Sequence, residues 1–311
     1  MKILVTGAAG FIGSAFCRLA LKHGHQIAGI ILPATMPSAN VPSDEKMIWL
    51  EGTLAGLPWE KIERFQPDVC VHFAWIATPG VYLESPENEL CLQWSLDLVR
   101  RLRDIGVNHI VGAGTCIEYQ ISEAPLAEDL TPVNPTTLYA RCKDALRKTL
   151  AAEAQKDGWH FCWGRVFYPY GVGEHPARLC SSLIQKLGRG EKLVLKTPNS
   201  RKDYIYIEDL AAAILLTVEK RFTGTINWGT GKGVSVREIA DIVAAMLGQP
   251  ELVLEQNPPA HDPFPFVVAE VAKLQILGWR PQVDFKTGLV RLIGCAPRRV
   301  NLAGRNHVLW L

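Results

Sequence analysis

Over the first 115 residues, short uninterrupted apolar runs alternate with stretches whose apolar positions recur at helical spacing. Ile3-Leu4-Val5, Ile27 to Leu32, Met47 to Leu50, Val69 to Ala74 and His109 to Ala113 read as strands. Their lack of polar alternation suits a parallel sheet covered by helices on both faces. A helix is expected to begin near Phe11. Leu92, Leu96, Val99 and Leu102 place one side of the stretch from Leu90 to Ile105 on a helix face. Strand and helix in turn are the mark of βαβ units, and they predict an α/β fold with a doubly wound parallel sheet. A long helix is expected through Leu138, Leu146 and Leu150 to about Lys156, and Trp159 to Trp163 reads as a sixth strand. After Pro169 the texture changes to shorter segments with more Gly and Pro, with helices over Ala211 to Val218 and Val236 to Leu247.

Composition narrows this little. The 311 residues can form one large domain or two modest ones. A formal net charge of +2 gives no reason to expect nucleic acid or an anionic membrane as partner. No apolar stretch reaches membrane-spanning length, and the N-terminal run is too short for a signal peptide, so a cytoplasmic protein is expected. The eight cysteines are scattered without a C-x-x-C pair and read as buried thiols of a reducing compartment. The histidines form no ligand-spaced pair, and no metal site is expected.

The first apolar run goes straight into Thr6-Gly7-Ala8-Ala9-Gly10-Phe11-Ile12-Gly13. Glycines let a backbone turn tightly against a pyrophosphate, and the following helix offers free N–H groups and a positive dipole end. Three glycines alone also fit an ordinary turn, and the spacing is G-x-x-G-x-x-G rather than G-x-G-x-x-G. The strand before and the helix after favour a dinucleotide site.

Tyr139 and Lys143 stand four apart on the long helix, so both leave the same face. A tyrosine near pKa 10 is a poor acid–base group at neutral pH, and an adjacent ammonium lowers it by stabilising the phenolate. An exposed helix face carries the same spacing by chance. Thr115 ends the fifth strand, and in doubly wound folds ligands collect outside the carboxyl ends of the strands, although a turn-stabilising threonine would also sit there.

These residues, taken in order, resemble the extended short-chain dehydrogenase/reductase family of NAD-dependent epimerases and dehydratases acting on nucleotide sugars. The resemblance covers about residues 1–293. It rests on TGAAGFIGS, on Asp68 to Trp75, on Thr115 with Tyr139 and Lys143, on Gly164 to Gly171, on Lys202 to Asp209, on Asn227 to Gly231 and on Leu277 to Pro281. It implies a Rossmann-type dinucleotide-binding domain over 1–165, with segments around 203–220 packing back onto it. A smaller α+β nucleotide-sugar domain would span 166–294 and a loose tail 295–311.

By the same resemblance Thr115, Tyr139 and Lys143 are the catalytic set. Cofactor contacts would come from Gly7, Gly10, Phe11, Ile12 and Gly13, from Leu32, Thr53 and Leu54, and from Phe73, Ala74, Trp75, Tyr139, Lys143 and Tyr168. Substrate contacts would come from Thr78, Cys116, Glu118, Tyr168, His175 and Arg178, with Arg201, Lys202 and His261 toward the diphosphate. The helices over Glu89 to Ile105 and Leu138 to Lys156 imply a homodimer.

Departures shape the expected activity. Dehydratases carry Asp-Glu after the threonine, and here Cys116 and Ile117 stand instead, which argues against a 4,6-dehydratase. Ile31 and Leu32 replace the acidic residue that binds the adenosine ribose, so the cofactor is NADP or NAD with a slight lean to NADP. The reading preferred at this level is a reductase of a 4-keto nucleotide sugar. An NAD-dependent C4 epimerase is the alternative, and a non-catalytic dinucleotide-binding protein a remote one.

Overall fold

The computed structural model describes residues 1–33, 41, 43–257 and 259–295. Most of the Pro-rich loop after the second strand (Pro37, Pro42) and the tail beyond Cys295 lie outside the described residues.

The first half contains β1 (Lys2–Thr6), α1 (Phe11–Lys22), β2 (Gln26–Ile31), β3 (Met47–Glu51), α2 (Trp59–Phe65), β4 (Val69–His72), α3 (Glu87–Asp104), β5 (His109–Thr115), α4 (Leu138–Asp157) and β6 (His160–Val166). The second half adds β7 (Tyr168–Tyr170), α5 (Leu179–Gly188), β8 (Leu193–Leu195), β9 (Arg201–Tyr206), α6 (Ile207–Glu219), β10 (Gly224–Trp228) and β11 (Gly233–Ser235). It ends with α7 (Val236–Leu247), β12 (Val253–Glu255), β13 (Phe266–Val267), α8 (Ala272–Ile276) and α9 (Phe285–Cys295).

Seven strands form one parallel sheet in the order β10-β6-β5-β4-β1-β2-β3. Its central strands are mostly buried because helices cover both faces, whereas the edge strand β3 is largely open. Ile3 and Val5 of β1 point into the core shared with α1 and α6, and Leu4 points into the core shared with α2, α3 and α4. Burying such a side chain contributes about 1.5–3 kcal/mol. Strand order reverses between β1 and β4, and that reversal opens a crevice at the carboxyl ends of the strands. α4 is set by Thr137, whose hydroxyl accepts from Ala140 N at 3.2 Å, and is ended by Gly158 in the left-handed region.

Three features depart from the sequence expectation. β10 belongs to the large sheet, although it lies far along the chain; its five residues pair with β6 from Gly224 to Trp228. The seven-residue α2 and the ten-residue α5 are too short to display a helical period. β6 also runs three residues past Trp163, carrying the chain through Phe167 into β7 and a smaller sheet around β9, where β11 is antiparallel and β7 and β13 are parallel to it. All eight cysteines are free and seven are buried. Among the described residues no helix is long and apolar enough to cross a membrane.

Candidate active site

The β1–α1 turn is shaped by close approach. Gly7 has φ +68°, and a Cβ there would lie 2.9 Å from Ala74 N; a Cβ at Gly13 would lie 2.2 Å from the Gly7 carbonyl oxygen. Gly10 is the N-cap, no side chain caps it, and no acidic residue occupies the first turn of the 12-residue helix. Bare N–H groups at Phe11, Ile12 and Gly13 and the positive helix end therefore meet the crevice where strand order reverses, which fits a dinucleotide pyrophosphate.

Beneath the turn runs a buried polar chain. Thr6 Oγ1 accepts from Ala74 N at 3.2 Å and lies 2.7 Å from His72 Nδ1, and His72 Nε2 lies 2.9 Å from Ser95 Oγ. Ser95 spends its proton on the Cys91 carbonyl at 2.6 Å, so His72 donates from Nε2 and accepts at Nδ1. Burial, helped by the charge of Lys143, lowers His72 to about 3. The chain fixes Phe73, Ala74 and Trp75 against Gly7. At the other end of the crevice Leu32 is 60% exposed, and Thr53 heads a tight turn with its Oγ1 accepting from Gly56 N at 3.1 Å. Leu54 packs against the α2 side of the core.

β5 brings Thr115 to its end, and α4 lays Tyr139 and Lys143 beside it. Thr115 Oγ1 accepts from Ile117 N at 3.5 Å, and its side chain also hydrogen-bonds the Cys116 thiol. Lys143 Nζ donates to the Ala113 carbonyl at 2.8 Å and sits 3.9 Å above the Trp75 ring and 5.9 Å from the Tyr139 ring centroid. Tyr139 stands edge-on to Tyr82 at 4.9 Å and to Trp75 at 6.5 Å. Burial lowers Lys143 to about 7, with Glu118 and Cys91 opposing. Tyr139 departs from expectation. Burial raises its phenol, Tyr82, Glu118 and Cys116 add to the rise, and Arg178 is the cation opposing it. The ammonium of Lys143 is held by a carbonyl and an indole face while packing around the partly buried phenol disfavours its charged form, so the tyrosine is neutral here.

The far wall comes from the smaller sheet. Tyr168 packs on Tyr204 at 5.7 Å, and Lys202 Nζ lies 5.9 Å from the Tyr168 ring. Lys202 is buried, has no hydrogen-bond partner, and faces Asp262 Oδ2 at 3.6 Å, too far for a hydrogen bond. Cys116 is buried beside the site, and its thiol is pushed up to about 12, chiefly by burial. His261 is exposed next to Asp262, His175 is exposed on the loop before α5, and Arg178 is its N-cap. Thr78 is exposed, and its carbonyl accepts from Val81 and Tyr82 at the head of the turn that brings Tyr82 to Tyr139.

Two expected substrate contacts are placed elsewhere. Glu118 is fully buried, with its carboxylate taken by Thr115 N, Trp163 and Arg165. Arg201 and Lys202 leave β9 on opposite faces, as neighbours in a strand must, and Arg201 is spent on the Gly233 carbonyl at 2.7 Å and Glu238 at 3.2 Å. Tyr82, Asp262 and Arg165 were not anticipated. A tyrosine in a Gly/Pro loop and a lone aspartate have no spacing that marks them. Among the described residues no group of three or more His, Cys, Asp or Glu gathers as a metal site.

Comparison with known proteins is consistent with this geometry. A model of the NAD dependent epimerase/dehydratase family matches residues 3–229. A UDP-glucose 4-epimerase of Corynebacterium glutamicum is 30% identical over 310 residues, spanning 92% of this chain and 93% of that protein. A UDP-glucose 4-epimerase of Streptomyces lividans is 26% identical over 307 residues, spanning 90% and 91%. The crystal structure of the Thermus thermophilus UDP-glucose 4-epimerase in complex with NAD matches with a TM-score of 0.82 at 30% identity, covering 94% of this chain and 98% of that one.

Proposed function

Because the chain belongs to the NAD dependent epimerase/dehydratase family, we propose that it is an NAD-dependent nucleotide-sugar 4-epimerase acting on a UDP-hexose. The observation that carries this over the 4-keto reductase first preferred is that relatives aligned along nine-tenths of the chain are UDP-glucose 4-epimerases. A 4,6-dehydratase is disfavoured on chemistry: at 116 and 117 stand a thiol pushed up to about 12 and an apolar side chain, neither of which moves a proton near neutrality.

We assign NAD rather than NADP as cofactor. No Arg or Lys occurs from residue 27 to 45 to meet a 2′-phosphate after β2, and the T. thermophilus relative holds NAD. Gly7, Gly10 and the α1 N-terminus would cradle its pyrophosphate, and Trp75 and Lys143 would line its reactive end. NAD, when bound, supplies the acceptor and donor of the C4 hydride.

The chain's own residues handle the proton and the sugar. Tyr139 takes the proton of the 4-hydroxyl and later returns it to the carbonyl oxygen. It is neutral in this state, so its turn as base requires cations that favour the phenolate, and Lys143 and Arg178 are the two within reach. Thr115 gives its hydroxyl to the same sugar oxygen in place of its hydrogen bond to the Cys116 thiol. The second half of the chain holds the nucleotide sugar, with Lys202 as a buried cation for the diphosphate. The test is incubation of purified protein with UDP-glucose or UDP-galactose and chromatography of the products. Interconversion without added cofactor supports the epimerase; conversion only when NAD(P)H is consumed supports the reductase instead.

A further inference from the structure

Glu118 is fully buried behind the candidate catalytic set. Its Oε1 accepts from the Thr115 N–H at 2.9 Å and from Trp163 Nε1 at 3.1 Å, and Oε2 accepts from Arg165 Nε at 2.7 Å. Arg165 in turn lies 4.1 Å over the Tyr119 ring, and Tyr119 donates to Asn227 Oδ1 at 2.7 Å. The site is made to receive the carboxylate: a Cβ at Gly114 would lie 2.6 Å from Glu118 Oε1 and 2.2 Å from Trp163 Nε1. A buried ion pair is weak evidence of stabilisation, because apolar residues of like volume often serve as well or better. The carboxylate does two things an apolar side chain cannot. It pins the backbone N–H of Thr115, and it places a negative charge near Lys143.

The groups facing Lys143 come from every element around it: His72 from β4, Trp75 from the turn after β4, Cys91 from α3, the Ala113 carbonyl from β5, Trp163 from β6 and Tyr139 from its own helix. Among these described neighbours Glu118 is the carboxylate. We propose that Glu118 is a positioning residue of the reaction, fixing Thr115 at the end of β5 and setting its negative charge where it favours the charged form of Lys143. The proposal rests on the reading that Thr115, Tyr139 and Lys143 perform the chemistry.

The test pairs two variants. Glu118→Gln leaves a buried guanidinium without its counter-ion and is expected to cost stability, so Glu118→Leu/Arg165→Met, which removes both charges, accompanies it. The first readout is the NMR titration of ¹³Cε-labelled lysine, with Lys143 assigned by its loss in Lys143→Met. The wild-type midpoint is expected near 7. It should fall by about one unit in Glu118→Gln and move in the same direction in the double variant. The second readout is kcat against pH, whose upper limb should move down by the same interval, costing about tenfold at pH 8 in Glu118→Gln. A double variant that melts like wild type yet keeps an unmoved Lys143 midpoint and an unmoved profile overturns the proposal. A shifted midpoint in a protein whose wild type turns over no nucleotide sugar overturns the catalytic reading and leaves the Glu118–Lys143 coupling standing.

Discussion

At the mouth of β1 the crevice is walled by backbone, whereas at β9 it is walled by side chains. On the first side Gly7, Gly10 and the bare start of α1 present N–H groups whose position follows from φ and from the absence of Cβ atoms. On the second side Lys202, Tyr168, Tyr204 and Asp262 present groups whose position follows from rotamers and from packing between β7, β9 and the loop before β13. Backbone donors grip any pyrophosphate and discriminate little. Side chains can be exchanged without disturbing the strand beneath them, so under the proposed function the β9 side is where the sugar would be selected. Tyr139 stands between the two sides and should be the least replaceable.

Replacing it gives the largest expected effect. Tyr139→Phe should lower kcat by about 10²–10⁴-fold, the usual range for a general acid–base group, while dinucleotide affinity stays close to wild type. Comparable loss of both in a kinetic and titration series would place Tyr139 with the cofactor wall instead. Next is Gly13→Ala, whose Cβ would lie 2.2 Å from the Gly7 oxygen. It should weaken NAD binding about 10–100-fold by calorimetry. Gly188→Ala, which meets nothing within 4 Å, should leave binding unchanged.

The third prediction concerns pH. His72 takes its proton at about 3 when folded and near 6.5 when unfolded, so between these values the unfolded chain holds the extra proton. Its contribution is complete above pH 6.5 and is lost as pH falls, by about 2 kcal/mol from pH 6.5 to 5. Urea unfolding should show that loss, and the difference between wild type and His72→Gln isolates it from buried carboxylates such as Asp203. Lys143, lowered from 10.5 to about 7, acts in a separate window: its stability contribution is lost as pH falls from 10.5 to 7. The smallest effect is on the side-chain wall. Lys202→Met should raise KM for the nucleotide sugar about tenfold with kcat nearly unchanged, the loss of one charge-assisted contact. A drop in kcat with KM fixed would contradict its binding role.

The same contrast governs how much was legible in the sequence. The sheet and the glycine turn could be read because apolar runs, glycine spacing and strand ends are local properties. The Tyr139/Lys143 spacing could be read because a helix puts residues four apart on one face. Glu118 and Arg201 could not be placed. Each lies within three residues of one placed at the crevice, Thr115 for Glu118 and Lys202 for Arg201, and only the pairing partners, Arg165 for one and Gly233 with Glu238 for the other, decide where the side chain turns. Electrostatics was the hardest part. The spacing brings Lys143 near Tyr139, but burial, which no spacing reports, lifts the phenol instead of lowering it.

The most direct test of the central claim is a single incubation of purified protein with UDP-galactose, following absorbance at 340 nm while UDP-hexoses are separated by anion exchange. The account predicts a mixture of the two C4 epimers with no net change in reduced cofactor. Stoichiometric consumption of NADH or NADPH with a 4-keto sugar, and no epimer formed in its absence, would contradict it.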